Sequence, residues 1–167
     1  MSLELLLPVE EMASAHRALQ SDLSLGNKIK LHTKKDGVPE LKDVQLAIIG
    51  VVEGRGAVDN VGTGKSLEQV RKYLYQMFPG NWHVGIADLG NIPKGKDISD
   101  TYYIIREVVS GLVSQNIIPI IIGGSQDITY ANYRAYDVFD RSVNIVSIDN
   151  KFDIGELELN LNSHNLL

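Results

Sequence analysis

Two aspartates four positions apart, Asp149 and Asp153, and the run Ser125-Gln126-Asp127 are the side chains here best suited to chemistry. Carboxylates are hard oxygen ligands, so Asp149 and Asp153 at one sheet edge could hold a hard divalent cation. The competing reading is a cap plus an ion pair, with the Lys151 ammonium neutralising one aspartate. Gly62-Thr63-Gly64-Lys65-Ser66 suggests a phosphate loop, but that pattern needs a glycine five positions before Gly64, where Asp59 stands. No strand runs into Gly-x-Gly-x-x-Gly, so a dinucleotide site is not expected. His16, His32, His83 and His164 are scattered, with no partner at metal-ligand spacing, and read as surface or strand-edge residues.

These groups need strands and turns to position them. In 117–122 five isoleucines flank Pro119, a pattern that predicts a strand buried on both faces. Gly123-Gly124 then permits a sharp turn, and Ser125 or Asp127 can cap a helix reaching to 139. A last strand over 143–149 brings Asp149 to the same carboxyl edge, where open α/β sheets place their chemistry. Upstream, 44–52 reads as a buried strand and 53–65 as a glycine-rich loop. Ser66 caps a helix to 78, with Leu67, Val70, Leu74 and Met77 or Phe78 on one face. A strand over 82–89 closes at Asp88, and a long helix runs from Asp97 or Ser99 to 115. Pro8 opens a helix to about 19, and 24–41 is loop with one short strand near 29–31. The alternation of strand and helix predicts one α/β domain with a mostly parallel sheet covered on both faces.

The 167 residues suffice for a buried core. A net charge of −5 and the absence of a dense Lys/Arg patch argue against a nucleic-acid partner. Lys28, Lys30, Lys34 and Lys35 lie near Asp36 and Glu40 and read as a solvated face. Without cysteine there is no disulfide, thiol nucleophile or thiolate metal site, and a cytoplasmic location is expected. No stretch is apolar enough for a membrane span.

At the two strand ends the sequence resembles the ureohydrolase superfamily of arginases, agmatinases and formimidoylglutamases. Its members carry Gly-Gly-Asp-His-Ser after one strand and Asp-Ala-His-x-Asp after the next. The matching runs are Gly123-Gly124-Ser125-Gln126-Asp127 and Asp149-Asn150-Lys151-Phe152-Asp153. Gly50-Val51, Gly64 with Leu67, Val70 and Arg71, and Asp88-Leu89-Gly90 agree, so the likeness covers 44–153. Glu53-Gly54-Arg55-Gly56 and the Gly-Gly-Ser-Gln-Asp turn stand closest to a formimidoylglutamase-like branch.

The resemblance implies a three-layer, arginase-like α/β/α domain that hydrolyses small amidine or guanidino substrates with water bridged between two manganese ions. It assigns Asp149 and Asp153 as metal ligands, with Ser125 and Asp127 supporting them from behind. Gln126 and Lys151 stand where the family has histidines, so it implies a degenerate site and doubtful manganese binding. An amide is a weak ligand, and a charged ammonium cannot ligate. Family members are longer, and this chain corresponds to their amino-terminal half. In the full fold the third and fourth strands are separated by strands of the other half, so a homo-oligomer is expected to cover the open edges. An inactive hydrolase relative and a binding or assembly domain that keeps only the fold both remain open.

Overall fold

The protein is described by a computed structural model over residues 2–9, 21–60, 62–140 and 142–149. A one-turn helix α1 (Leu25–Lys28) leads into a two-residue strand β1 (Lys30–Leu31). β2 (Leu46–Val51), α2 (Leu67–Gln76), β3 (Ile86–Ile92) and α3 (Ile98–Val113) follow. β4 (Ile118–Ile122) and α4 (Ile128–Arg134) come next, and a 3-10 turn at Ala135–Phe139 extends α4. The sheet has the order β1-β3-β2-β4, and every neighbouring pair is parallel.

Alternation along each strand explains the three layers, since successive side chains point to opposite faces. Ala47, Ile49 and Val51 of β2 and Ala87 and Leu89 of β3 share one core with α3. Ile105, Val108, Val109 and Leu112 of α3 are all fully buried, at the i, i+3, i+4, i+7 spacing of one helix face. Between Ala87 and Leu89, Asp88 points the other way and meets Arg71 and Tyr75 of α2. α2 and α3 therefore cover opposite faces. Asp97 starts α3 with a capping box closed by Asp100, each side chain accepting a backbone N–H of the other's position.

Several expectations change. Residues 142–149 form no strand: they lie outside the sheet, with Val146 86% and Ile148 98% exposed. A strand needs a neighbouring ladder, and among the described residues none reaches this segment. For the same reason β4 is an edge strand rather than a doubly buried one, and Ile118 is 61% exposed. β3 starts at Ile86, not at Trp82, because 82–85 runs as exposed loop. It also continues past Asp88 to Ile92, so Asp88 is a buried mid-strand residue. The buried face of α2 is Leu67, Arg71 and Tyr75, while Val70, Met77 and Phe78 are exposed. Neither Ser66 nor Asp127 makes a side-chain cap bond. The short strand near 29–31 is present as β1. The helix expected from Pro8 to 19 falls mostly outside the described residues.

Candidate functional site

The chain steps from β2 outward to β3, then back across β2 to β4. The loops leaving β2 and β4 thus head for helices on opposite faces, α2 and α4. Such a switch point opens a crevice beyond the carboxyl ends of the two strands. The glycine-rich 53–65 loop and the Gly123-Gly124-Ser125-Gln126-Asp127 turn meet there. Gly123 and Gly124 have φ of +77° and +79°, a left-handed pair that side-chain-bearing residues rarely adopt. This turn swings Ser125 back so that its N–H donates to the Glu53 carbonyl at 2.8 Å.

Glu53 is the best-satisfied group in the crevice. Its fully buried carboxylate accepts from the Arg55 N–H at 2.9 Å, from Arg55 Nη2 at 2.6 Å and from Thr101 Oγ1 at 2.9 Å. Burial pushes its pKa up, but the Arg55 and Thr101 donors outweigh burial and bring it down to about 2. Arg55 also donates to the carbonyls of Gly95 and Lys96, at 3.0 and 2.8 Å. The Gly95 N–H in turn donates to Thr101 Oγ1 at 2.9 Å. One ion pair thereby joins the loop after β2 to the loop after β3.

Asp127 is also fully buried, and it turns inward. Tyr102 of α3 donates its hydroxyl to Asp127 Oδ2. Burial and this carboxylate both raise the Tyr102 pKa, so the phenol keeps its proton. The backbone at Gly56 presses on the same carboxylate, and a Cβ there would collide with it. Asp127 Oδ1 and Ser125 Oγ are buried without a hydrogen-bond partner among the described residues. At the outer rim, Gln126 Nε2 donates to Asp149 Oδ2 at 2.5 Å.

Of the expected site residues, Ser125, Gln126, Asp127 and Asp149 meet at this edge. Asp153 and Lys151 lie outside the described residues. Among the described residues no group of three or more His, Cys, Asp or Glu could share a metal ion. Among the described residues the donors at this edge do not make up a manganese site. Asp149 already accepts from an amide NH2, which has no lone pair for a metal, and Asp127 faces Tyr102. The Glu53–Arg55–Thr101 cluster was not anticipated as a working unit. Its signal is the alternation of charge and glycine in Glu53-Gly54-Arg55-Gly56 directly after a buried strand.

This doubly wound sheet, with its crevice between β2 and β4, has known counterparts. The Arginase family model matches residues 44–165, and the chain belongs to that family. Its similar relatives include formimidoylglutamases. The one from Halobacterium salinarum is 30% identical over 106 residues, which cover 62% of this chain and 34% of the relative. The one from Macrococcus caseolyticus is 26% identical over 119 residues, covering 68% of this chain and 38% of the relative. A Trypanosoma cruzi formiminoglutamase solved with Mn2+ superposes with a TM-score of 0.65 at 22% identity, over 75% of this chain and 46% of that one. A Bacillus subtilis formimidoylglutamase gives 0.65 at 19%, over 77% and 44%. This chain therefore spans less than half the length of these relatives, and the solved structures establish its fold. Among the described residues no helix is long and apolar enough to cross a membrane.

Proposed function

We propose that this chain is an arginase-family domain that keeps the fold of the metal-dependent amidine and guanidino hydrolases but does not itself hydrolyse such substrates. The observation that carries this reading is the Gln126–Asp149 hydrogen bond. The hydrolases' nucleophile is water whose pKa is depressed by bound cations, which needs deprotonated ligands with open coordination positions. A glutamine amide that donates to Asp149 engages that carboxylate within the protein instead. On this reading Lys151, two residues further on, would supply a fixed cation to Asp149 and Asp153. An ammonium there balances the two carboxylates without a metal and offers no coordination site.

A second reading, a domain kept for assembly, is favoured by one observation. Among the described residues β4 is an unpaired edge, and it carries exposed Ile118 and Ile120. The two readings are compatible, since a domain without hydrolytic chemistry can still be kept for its surfaces.

The test is an assay of the full chain with manganese supplied, measuring ammonia or urea release from linear formimino and guanidino compounds. No turnover above the metal-only control is expected. Turnover that depends on Asp149 would overturn the reading.

A further inference from the structure

Gly64-Lys65 fails as a phosphate loop by its spacing, yet the fold places it beside a second cation. A cavity of about 390 Å³ opens at the carboxyl edge of the sheet, lined by Val52, Gly54, Arg55, Gly64, Lys65 and Lys94. Lys65 ends the 3-10 turn Thr63–Lys65 that leads into α2, and Lys94 lies in the loop after β3. Three basic residues and no carboxylate line the cavity, in a chain whose net charge is −5. Arg55 is largely used up: it pairs with Glu53 and donates to Gly95 and Lys96. Its work is structural, since these bonds fix the loop after β2 against the loop after β3. Lys65 and Lys94 are different. Both are exposed, and neither ammonium makes an ion pair or hydrogen bond among the described residues.

We infer that this cavity is an anion-binding site for a small phosphate-bearing molecule, held by Lys65 and Lys94 between loops pre-joined by the Glu53–Arg55 pair. Lysine ammoniums act as point charges with three donors each, a match for the clustered oxygens of a phosphate group. Two of them from separate loops favour a ligand with more than one charged centre, such as a diphosphate. The cavity has a size typical of small-molecule sites and room for more than a single phosphate. Preorganised loops lower the ordering cost of binding. The site is independent of the Gln126–Asp149 contact, so it stands or falls separately from the hydrolytic question.

The probe is inorganic pyrophosphate, titrated calorimetrically into the full chain at low ionic strength, with glutarate in parallel. One pyrophosphate per chain should bind, and Lys65→Ala/Lys94→Ala should weaken it by at least about tenfold. Lys35→Ala/Lys42→Ala, which removes equal charge elsewhere, should leave the affinity unchanged. Amide NMR shifts should centre on Gly54 and Gly64. The inference is overturned by an absence of binding, by equal loss in both double variants, or by shifts centred elsewhere. Glutarate binding as tightly as pyrophosphate overturns the phosphate assignment.

Discussion

Arg71 and Asp88 form a bidentate ion pair in which neither side chain is exposed to solvent, with Nε–Oδ2 at 2.8 Å and Nη2–Oδ1 at 3.0 Å. Both partners make further hydrogen bonds. Arg71 also donates to Asn91 Oδ1 at 2.7 Å and to the Gly90 carbonyl at 3.0 Å. Asp88 also accepts from the Tyr75 hydroxyl at 2.9 Å and the Gly90 N–H at 3.0 Å. The network clamps α2 to β3 where a stripe of leucines would otherwise be expected.

Removing one partner strands the other as a buried charge, which typically costs about 3–5 kcal/mol. Arg71→Met and Asp88→Leu should each lose about that much in urea unfolding. The double variant should be closer to the parent than either single one, because it leaves no unpaired charge. Additive losses in the double would show that the pair is not the source.

Glu53 makes stability depend on acid. Its folded pKa is lowered to about 2 from 4.5, so the unfolded chain binds the proton more readily. Its contribution is fully present above pH 4.5 and is lost as pH falls towards 2. With Arg55 partly exposed, that contribution is on the order of 2–3 kcal/mol. Unfolding measured at pH 6 and pH 2.5 should show a smaller drop for Glu53→Gln than for the parent. Equal drops would mean that Glu53 is not held in this way.

Tyr102→Phe removes the one donor to Asp127 among the described residues while leaving the ring in place. An unsatisfied buried carboxylate costs about 1–3 kcal/mol or more. We expect that loss in urea unfolding of the variant. Unchanged stability would contradict the assigned contact.

Ile118 and Ile120 on β4, the edge strand among the described residues, predict self-association. Light scattering should give a mass above 18.4 kDa that rises with concentration. Ile118→Lys/Ile120→Lys should bring it down. A concentration-independent monomer would sink this expectation, since residues 142–149 do not pair with β4 in the structure.

Much of this architecture is legible in the residues. β2 is an apolar run ended by glycine-rich loop, and α3 has a capping aspartate and a regular apolar stripe, so local rules suffice for both. The carboxyl-edge location of Ser125, Gln126 and Asp127 follows from one strand and two glycines. What escapes the sequence depends on neighbours. The run 143–149 is rich in β-forming residues but has no adjacent ladder among the described residues, and Ile118 looks like core until the described sheet ends at β4. Arg71 and Asp88 are 17 positions apart, and no periodicity announces that they meet. Nor does any motif reveal that Arg55 bridges to the loop after β3.

On the proposed reading the Gln126–Asp149 edge holds no metal. Calorimetric titration of manganese into the full chain decides this. No binding is expected for the parent, and weak binding once Gln126→His and Lys151→His are combined. Micromolar manganese binding by the parent, lost in Asp149→Asn, would overturn the reading.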